Sequence, residues 1–280
     1  MSAKPEIEGE RRRIAGLSVR LFGPEDGPPL LMSSGLGGAG GYWMPHLPAL
    51  AARHRVILYD QRGTGESDRT IPHPYGLGYM ADDLLRILDG LSICAAHVVG
   101  HAAGGMAALQ LALAAPARVK SVTVVNGWDA PDPHFVRCMA IRRAIMETQG
   151  ARAYLTAQPL FLFPADWISA HLDALDRQTD AHAADFQSQD VLFARMDALT
   201  GADLRAGLAN VRAPVLLVAA EDDMLVPAAR SRALRDALAR APVTLAVSER
   251  GGHAVNITRA DWFEETLDAF LATAATKQTS

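Results

Sequence analysis

The sequence has few of the features that mark several large classes of protein. Its 280 residues include only two cysteines, Cys94 and Cys138, too few for a disulfide framework. No apolar run approaches the ~20 residues that a transmembrane helix needs, and no signal-peptide pattern opens the chain. The formal net charge of −4 does not mark a polyanion-binding protein. These absences predict a cytoplasmic protein that binds neither nucleic acid nor membranes, built as one domain or as one domain with an insertion.

A second absence concerns a single side chain. The stretch from His97 to Gly105 indicates a buried strand, a glycine-flanked turn and the start of a helix. This is the setting of the G-x-S-x-G nucleophile elbow. Gly100 and Gly104 hold their places, but position 102 is alanine where the motif has serine. Because a methyl group has no lone pair with which to attack a carbonyl, Ala102 closes the usual acyl-enzyme route.

Short apolar runs rich in β-formers alternate with alanine- and leucine-rich helical stretches. This pattern predicts an α/β protein with a mostly parallel sheet flanked by helices. Strands are predicted at 30–33, 56–59, 97–99, 122–125, 215–219 and 243–247, with an earlier antiparallel strand at 20–23. Helices are predicted near 80–89, 106–114, 228–239 and 261–272. From 129 to 210 helical stretches replace this rhythm, so we expect a core of residues 1–128 and 211–280 with a helical cap of 129–210.

Candidate catalytic residues follow the predicted strands, where the reacting groups of such sheets cluster. Asp223 comes soon after the strand at 215–219, in a suitable place for a carboxylate that orients an imidazole. His253 follows the last strand on a glycine pair. The order of elbow, acid and histidine matches the chain order of α/β-hydrolases. We therefore predict a catalytic set of Ala102 (the nucleophile position), Asp223 and His253.

The glycine-rich segment 33–41 after the first parallel strand is the next candidate. Glycines let a backbone approach a ligand and point N–H groups at a developing negative charge, so Gly35 is expected to lie against the substrate. A phosphate loop is disfavoured because no Gly-Lys-Ser/Thr follows, and a flexible surface loop remains the alternative. Trp43 and Trp128 are expected to line a pocket. The segment 60–67 is predicted to fix the loop backbone, with Arg62 in an ion pair.

Neither a metal nor a cofactor is predicted. His97 and His101 are close in sequence, but His97 lies in a predicted strand and no third ligand is nearby.

Several segments together resemble one family within the α/β-hydrolases, the RutD aminoacrylate or carbamate hydrolases of bacterial pyrimidine degradation. They are 34–43, 59–65, 98–102, 125–128, 158–167, 225–227 and 251–258. The stretch 161–167 in the predicted cap is the most selective of them. That family too has alanine at the elbow, so the resemblance makes Ala102 a family trait.

The resemblance implies hydrolysis of a small C–N bonded metabolite without a serine. The substrate would be 3-aminoacrylate, giving malonic semialdehyde and ammonia, or a carbamate. Water would attack directly, with His253 as general base, Asp223 holding its tautomer, and the backbone N–H groups of Leu36 and Ala103 facing the developing anion. Arg137 and Arg195 are the candidate cations for an anionic substrate. A small-molecule substrate is expected, and a homodimer is left open.

Two alternatives remain at this point. The chain would be a serine esterase, lactonase, amide hydrolase or C–C hydrolase if Ala102 had replaced a natural serine by engineering. It would be a non-catalytic ligand-binding module if the scaffold had lost its chemistry.

Overall fold

A computed structural model describes residues 9–276, and within them eight strands form one sheet. The order across the sheet is β1-β2-β4-β3-β5-β6-β7-β8. β1 and β2 pair antiparallel at one edge, and the strands from β3 to β8 run parallel. The strands are β1 (Glu10–Ile14), β2 (Leu17–Phe22), β3 (Pro29–Ser33), β4 (Arg55–Tyr59), β5 (Ala96–His101), β6 (Val119–Val125), β7 (Val215–Ala220) and β8 (Val243–Ser248).

Helices cover both faces of this sheet, so its central strands are continuous apolar runs. Every residue of β5 and β7 is buried. Neighbouring residues of β5 enter different cores. Val98 packs in the cluster that includes Leu84 and Met106. Val99 packs in the cluster that includes Leu47 and Phe263. The predicted parallel strands and their covering helices are confirmed.

The helices, in chain order, are α1 (Leu47–Leu50), α2 (Leu77–Gly90), α3 (Ala103–Ala114), α4 (Pro133–Ala157), α5 (Pro159–Leu162), α6 (Ala165–Ala170), α7 (Leu172–Ala183), α8 (Gln189–Thr200), α9 (Arg205–Leu208), α10 (Ala228–Ala237), α11 (Val255–Thr258) and α12 (Ala260–Thr276). None of the helices within residues 9–276 is long and apolar enough to cross a membrane.

The chain between β6 and β7 carries α4 to α9, and we call residues 133–208 the helical segment. No strand occurs between residues 129 and 210, all of which the structure describes. Gly150 (φ +81°) interrupts α4 with a kink, which divides this long helix into two parts. The chain enters the helical segment from the carboxyl end of β6 and re-enters the sheet at the amino end of β7.

The amino-terminal edge differs in detail from the prediction. The predicted antiparallel strand at 20–23 is β2, which begins earlier, at Leu17. β1 was not predicted, because its run Arg11–Arg13 is exposed and shows no apolar alternation. Residues 1–8 and 277–280 of the predicted core lie outside the described residues.

Candidate active site

The turn between β5 and α3 has the backbone of a nucleophile elbow. Ala102 sits at φ +46° and ψ −112°, a conformation that side-chain-bearing residues rarely adopt. A Cβ atom on Gly100 would lie 2.2 Å from the backbone nitrogen of Gly105, and one on Gly104 would lie 2.2 Å from the Ser33 carbonyl oxygen. Only glycine fits at either place, so these two residues let α3 fold tightly back onto the sheet.

The Ala102 backbone is tied to the neighbouring strand, since its N–H donates to the Val125 carbonyl at 2.8 Å. α3 begins at Ala103, whose N–H therefore belongs to the first helical turn, where N–H groups have no partner within the helix. The positive end of the helix dipole adds to their pull on an anion.

His253 and Asp223 form a buried pair at the carboxyl ends of β7 and β8. His253 Nδ1 and Asp223 Oδ2 are 2.8 Å apart. The other carboxylate oxygen, Oδ1, accepts from the backbone N–H groups of Leu225 and Val226 at 2.8 and 2.9 Å. The Asp223 carboxylate accepts a hydrogen bond from Nδ1–H, which leaves the lone pair of His253 on Nε2. The sequence-predicted acid and histidine are thus brought together in the geometry of a general base.

The loop that carries His253 is held by two side chains near the elbow. His101 Nε2 donates to the His253 carbonyl at 2.8 Å, and the Asn126 side-chain amide donates to the same oxygen. The two imidazole rings meet edge to face, 4.8 Å apart. Burial, and then the nearby His253, lower the pKa of His101 to about 3, so His101 is a neutral donor. His101 therefore supports the loop that carries His253 from its place beside the elbow.

Two side chains hold the glycine-rich loop after β3, one from α8 and one from the loop that precedes α8. The Leu36 carbonyl accepts from Arg195 Nη2 at 3.2 Å and from Gln187 Nε2 at 3.3 Å. Gly35 packs closely, since a Cβ atom there would lie 2.8 Å from Nδ1 of His101. This loop is therefore an ordered part of the site.

The ion pair predicted for Arg62 is present. Its guanidinium bonds both carboxylate oxygens of Asp83, at 3.0 and 3.2 Å, and lies 3.3 Å from Asp68.

The two tryptophans predicted to line a pocket lie in different places. Trp128 is buried against Phe135 of α4, in the same cluster as Ala102. Trp43 is also fully buried, but it packs with Phe263 of α12 in the cluster on the other face of the sheet. Trp43 therefore lies apart from Ala102, and a pocket-lining role for either tryptophan stays a prediction. Proximity in sequence to a strand end does not determine which face of the sheet a loop residue covers.

The two candidate arginines also separate. Arg195 is buried and contacts the glycine-rich loop, whereas Arg137 is exposed on α4. The buried arginine of α4 is Arg142, which sequence reasoning missed. A signal for it exists, because Arg142 falls on the apolar stripe of α4 at helical spacing. The stripe consists of Phe135, Cys138, Met139 and Met146.

No group of three or more His, Cys, Asp or Glu side chains within residues 9–276 is placed to hold a metal ion.

Comparison with known proteins agrees with this architecture. The family model described as the alpha/beta hydrolase fold matches residues 28–260. The chain belongs to the α/β-hydrolase family. Within it, the chain is similar to proteins named carbamate hydrolase RutD. The one from Caulobacter sp. (strain K31) is 45% identical over 261 residues, covering 92% of this chain and 97% of that protein. The one from Variovorax paradoxus is 44% identical, covering 91% and 96%.

Solved structures give the same fold. The enol-lactonase from Burkholderia xenovorans LB400 superposes with a TM-score of 0.83 at 26% identity, over 94% of this α/β-hydrolase and all of that chain. A thermophilic esterase from Thermogutta terrifontis superposes with a TM-score of 0.81 at 18% identity, over 95% and 99% of the two chains. Taken with the relatives above, these likenesses identify the protein as a hydrolase.

Proposed function

We propose that this hydrolase cleaves a C–N bond of a small anionic metabolite by direct attack of water. One observation carries the proposal: an ordered pair of His253 and Asp223 lies beside an elbow that has no hydroxyl. A base without a nucleophilic side chain to activate can still activate water. The relatives named carbamate hydrolase, at 44–45% identity, support a C–N bond as the target.

In this proposal Nε2 of His253 takes a proton from water as the water oxygen attacks the substrate carbon. Asp223 accepts the hydrogen bond from Nδ1–H and stabilises the imidazolium that forms. The short side chain of Ala102 leaves space beside the base for the attacking water. For a carbamate, the backbone N–H groups of Leu36 and Ala103 are the donors for the oxygen that gains negative charge in the addition product.

For 3-aminoacrylate the steps balance as follows. A proton from solvent adds to the enamine at the carbon next to its carboxylate and gives an iminium ion. Water adds to the C=N carbon as His253 takes one of its protons, and a neutral carbinolamine forms. The imidazolium returns that proton to nitrogen and the C–N bond breaks. The electrons of the O–H bond form the new C=O bond, and its proton passes to His253 and from there to solvent. The products are malonic semialdehyde and ammonia. A carbamate would follow the same addition and loss of ammonia at its carboxyl carbon.

The test measures ammonia release from freshly generated 3-aminoacrylate and from carbamate, each corrected for spontaneous decay. Wild type should accelerate release from at least one of them, and His253→Gln should abolish the acceleration. His182→Gln is the matched control, because His182 is an exposed histidine of α7. Equal rates for wild type and His253→Gln would show that the proposed base has no role, and no acceleration by any variant would favour a binding protein.

A further inference from the structure

Two buried guanidiniums of the helical segment lack a carboxylate partner. Arg142 is 4% exposed and Arg195 is 2% exposed. Among the described residues, no Asp or Glu side chain forms an ion pair with either of them. Arginine is almost never fully buried unless paired, because removing its charge from water costs several kcal/mol. An unpaired buried cation is therefore a candidate site for an anion that is not part of the chain.

The donors of Arg142 are only partly used. Its Nη2 donates to the hydroxyl of Tyr154 and to Gln158 Oε1 at 3.4 Å, and its Nη1 has a weak sulfur contact with Met139 at 3.9 Å. The ring of Phe161 lies 5.5 Å from the guanidinium carbon. The Nε atom is buried without a hydrogen-bond partner. Neutral and aromatic neighbours orient this guanidinium without neutralising it.

Arg142 faces the catalytic loops because of its position on α4. Residues four apart share one face of a helix, which places His134, Cys138 and Arg142 in a line. His134 bonds the Met224 carbonyl, next to Asp223. Burial is the largest cause of the raised pKa of the Cys138 thiol. The charge of Arg142 lowers this pKa, and the charge of Asp223 raises it. The line thus runs from the Asp223 loop toward Arg142.

A second contact joins the Arg142 neighbourhood to His253. Phe161, which packs against the guanidinium, lies in α5 next to Leu162. The Leu162 carbonyl accepts from the N–H of Ala254 at 2.9 Å. Arg142 thus contacts α5, and the same short helix bonds the residue that follows His253.

Arg195 of α8 is the second buried guanidinium. Its Nη atoms donate to the backbone carbonyls of Arg62 and Leu36 at 3.2 Å each, and to the Gln61 side chain. Its Nε atom, like that of Arg142, is buried without a partner. Burial raises the pKa of the Tyr154 hydroxyl, and the charges of Arg142, which also bonds it, and of Arg195 act to lower it.

We propose that Arg142, with Arg195 and Tyr154, forms a subsite for a carboxylate that is separate from the reacting C–N bond. The inference rests on the proposed function for the reacting centre and specifies its substrate class. In carbamate the anionic carboxyl carbon is itself the carbon attacked by water, so one group cannot occupy both places. A three-carbon β-amino acrylate has its carboxylate two bonds from the C–N carbon. The arginine pair selects a substrate of that kind over carbamate.

The probe for the subsite is malonate, a three-carbon dicarboxylate without a C–N bond, with its neutral diamide malonamide as the uncharged comparison. Titration calorimetry with wild type should show binding of malonate and none of malonamide. Arg142→Gln should weaken malonate binding by about tenfold to 100-fold, the range for loss of a charge-assisted hydrogen bond. Arg142→Lys should recover part of that loss, since it restores the charge without the planar fork. Arg152→Gln is the matched control, an exposed arginine of α4 paired with Asp180.

Each outcome separates the subsite from the reaction. Malonate that binds wild type and Arg142→Gln equally, or that does not bind wild type, overturns the subsite. Arg142-dependent malonate binding without His253-dependent ammonia release keeps the subsite and rejects the proposed hydrolysis. His253-dependent ammonia release without Arg142-dependent malonate binding rejects the subsite and keeps the proposed hydrolysis. If Arg142→Gln fails to fold, Arg142→Lys tests the subsite instead, because it keeps the charge. This variant should bind malonate, but more weakly than wild type does.

Discussion

Arg62 and Arg142 are both shielded from solvent, but only one of them has a carboxylate beside it. The guanidinium of Arg62, at the end of β4, bonds both oxygens of Asp83 and lies 3.3 Å from Asp68. That of Arg142, in the helical segment, is surrounded by Tyr154, Gln158 and Phe161. The region near the sheet neutralises its buried charge internally. The helical segment leaves its buried charge for a ligand, and this difference separates a structural arginine from a recognition arginine.

The largest effect is expected at Asp223, a partnered charge that also serves the reaction. Asp223→Asn should lower kcat for ammonia release by about 10⁴-fold, because the imidazole loses the carboxylate that fixes its tautomer and stabilises its charge. KM should change little. Asp222→Asn is the control, since Asp222 is exposed and its carboxylate accepts only the Gly252 N–H among the described contacts, at 2.8 Å. Similar losses in both variants would contradict the assignment of the acid.

Replacing each arginine by methionine compares the two environments directly. Arg62→Met should lower the free energy of unfolding by about 3 kcal/mol, because it strands the buried carboxylate of Asp83. Arg86, 2.9 Å from the same carboxylate, limits the loss. Arg142→Met should leave stability unchanged or raise it by about 1 kcal/mol, since it removes an unpaired buried charge. Urea unfolding without added anions measures both values. A larger loss at Arg142 than at Arg62 would contradict the comparison.

His101 shows a third way to handle a buried titratable group, which is to keep it neutral. Its pKa is lowered to about 3, so below the ordinary value near 6.5 the unfolded chain binds a proton that the folded chain does not. Its contribution to stability is complete above about pH 6.5 and is lost progressively as the pH falls toward 3.

His101→Gln should therefore flatten the fall in unfolding free energy between about pH 6.5 and pH 4, by up to about 1 kcal/mol per pH unit. His182→Gln should keep the slope of wild type, because His182 is exposed. Urea unfolding across this range is the measurement. An unchanged slope in His101→Gln would show that His101 is protonated in the folded protein.

The smallest effect is expected at the elbow itself. Ala102→Ser adds one hydroxyl where the proposed reaction places water, so turnover of the C–N substrate should fall by less than about tenfold. Activated esters such as p-nitrophenyl acetate should show no burst of product. A large gain in esterase activity with a burst would instead indicate an interrupted serine triad.

The sequence predicted the parts of the molecule that follow strand periodicity. The parallel strands β3 to β8 are apolar runs between helices, and Ala102, Asp223 and His253 follow such runs directly, so their convergence could be expected from topology. The pairing of Asp223 with His253 is the structural counterpart of that expectation, while their catalytic roles stay predictions.

The parts that could not be predicted depend on which face a residue presents. β1 is an edge strand of exposed arginines and lacks the alternation that marks a half-buried strand. Trp43 lies near a strand end but covers the α12 face of the sheet. Arg137 and Arg142 differ only in their phase on α4, and a charge on an apolar stripe is informative once that phase is considered.

The strained turn at Ala102 has a consequence for how this active site can change. A residue at φ +46° costs about 1–2 kcal/mol compared with an ordinary helical conformation, and here no nucleophile benefits from it. The turn still fixes where α3 starts, and so where the Ala103 N–H and the positive end of the helix point. Alanine in place of serine therefore differs by a single oxygen atom. It leaves the helix dipole and the backbone N–H groups of the turn in place for a nucleophile that enters the site.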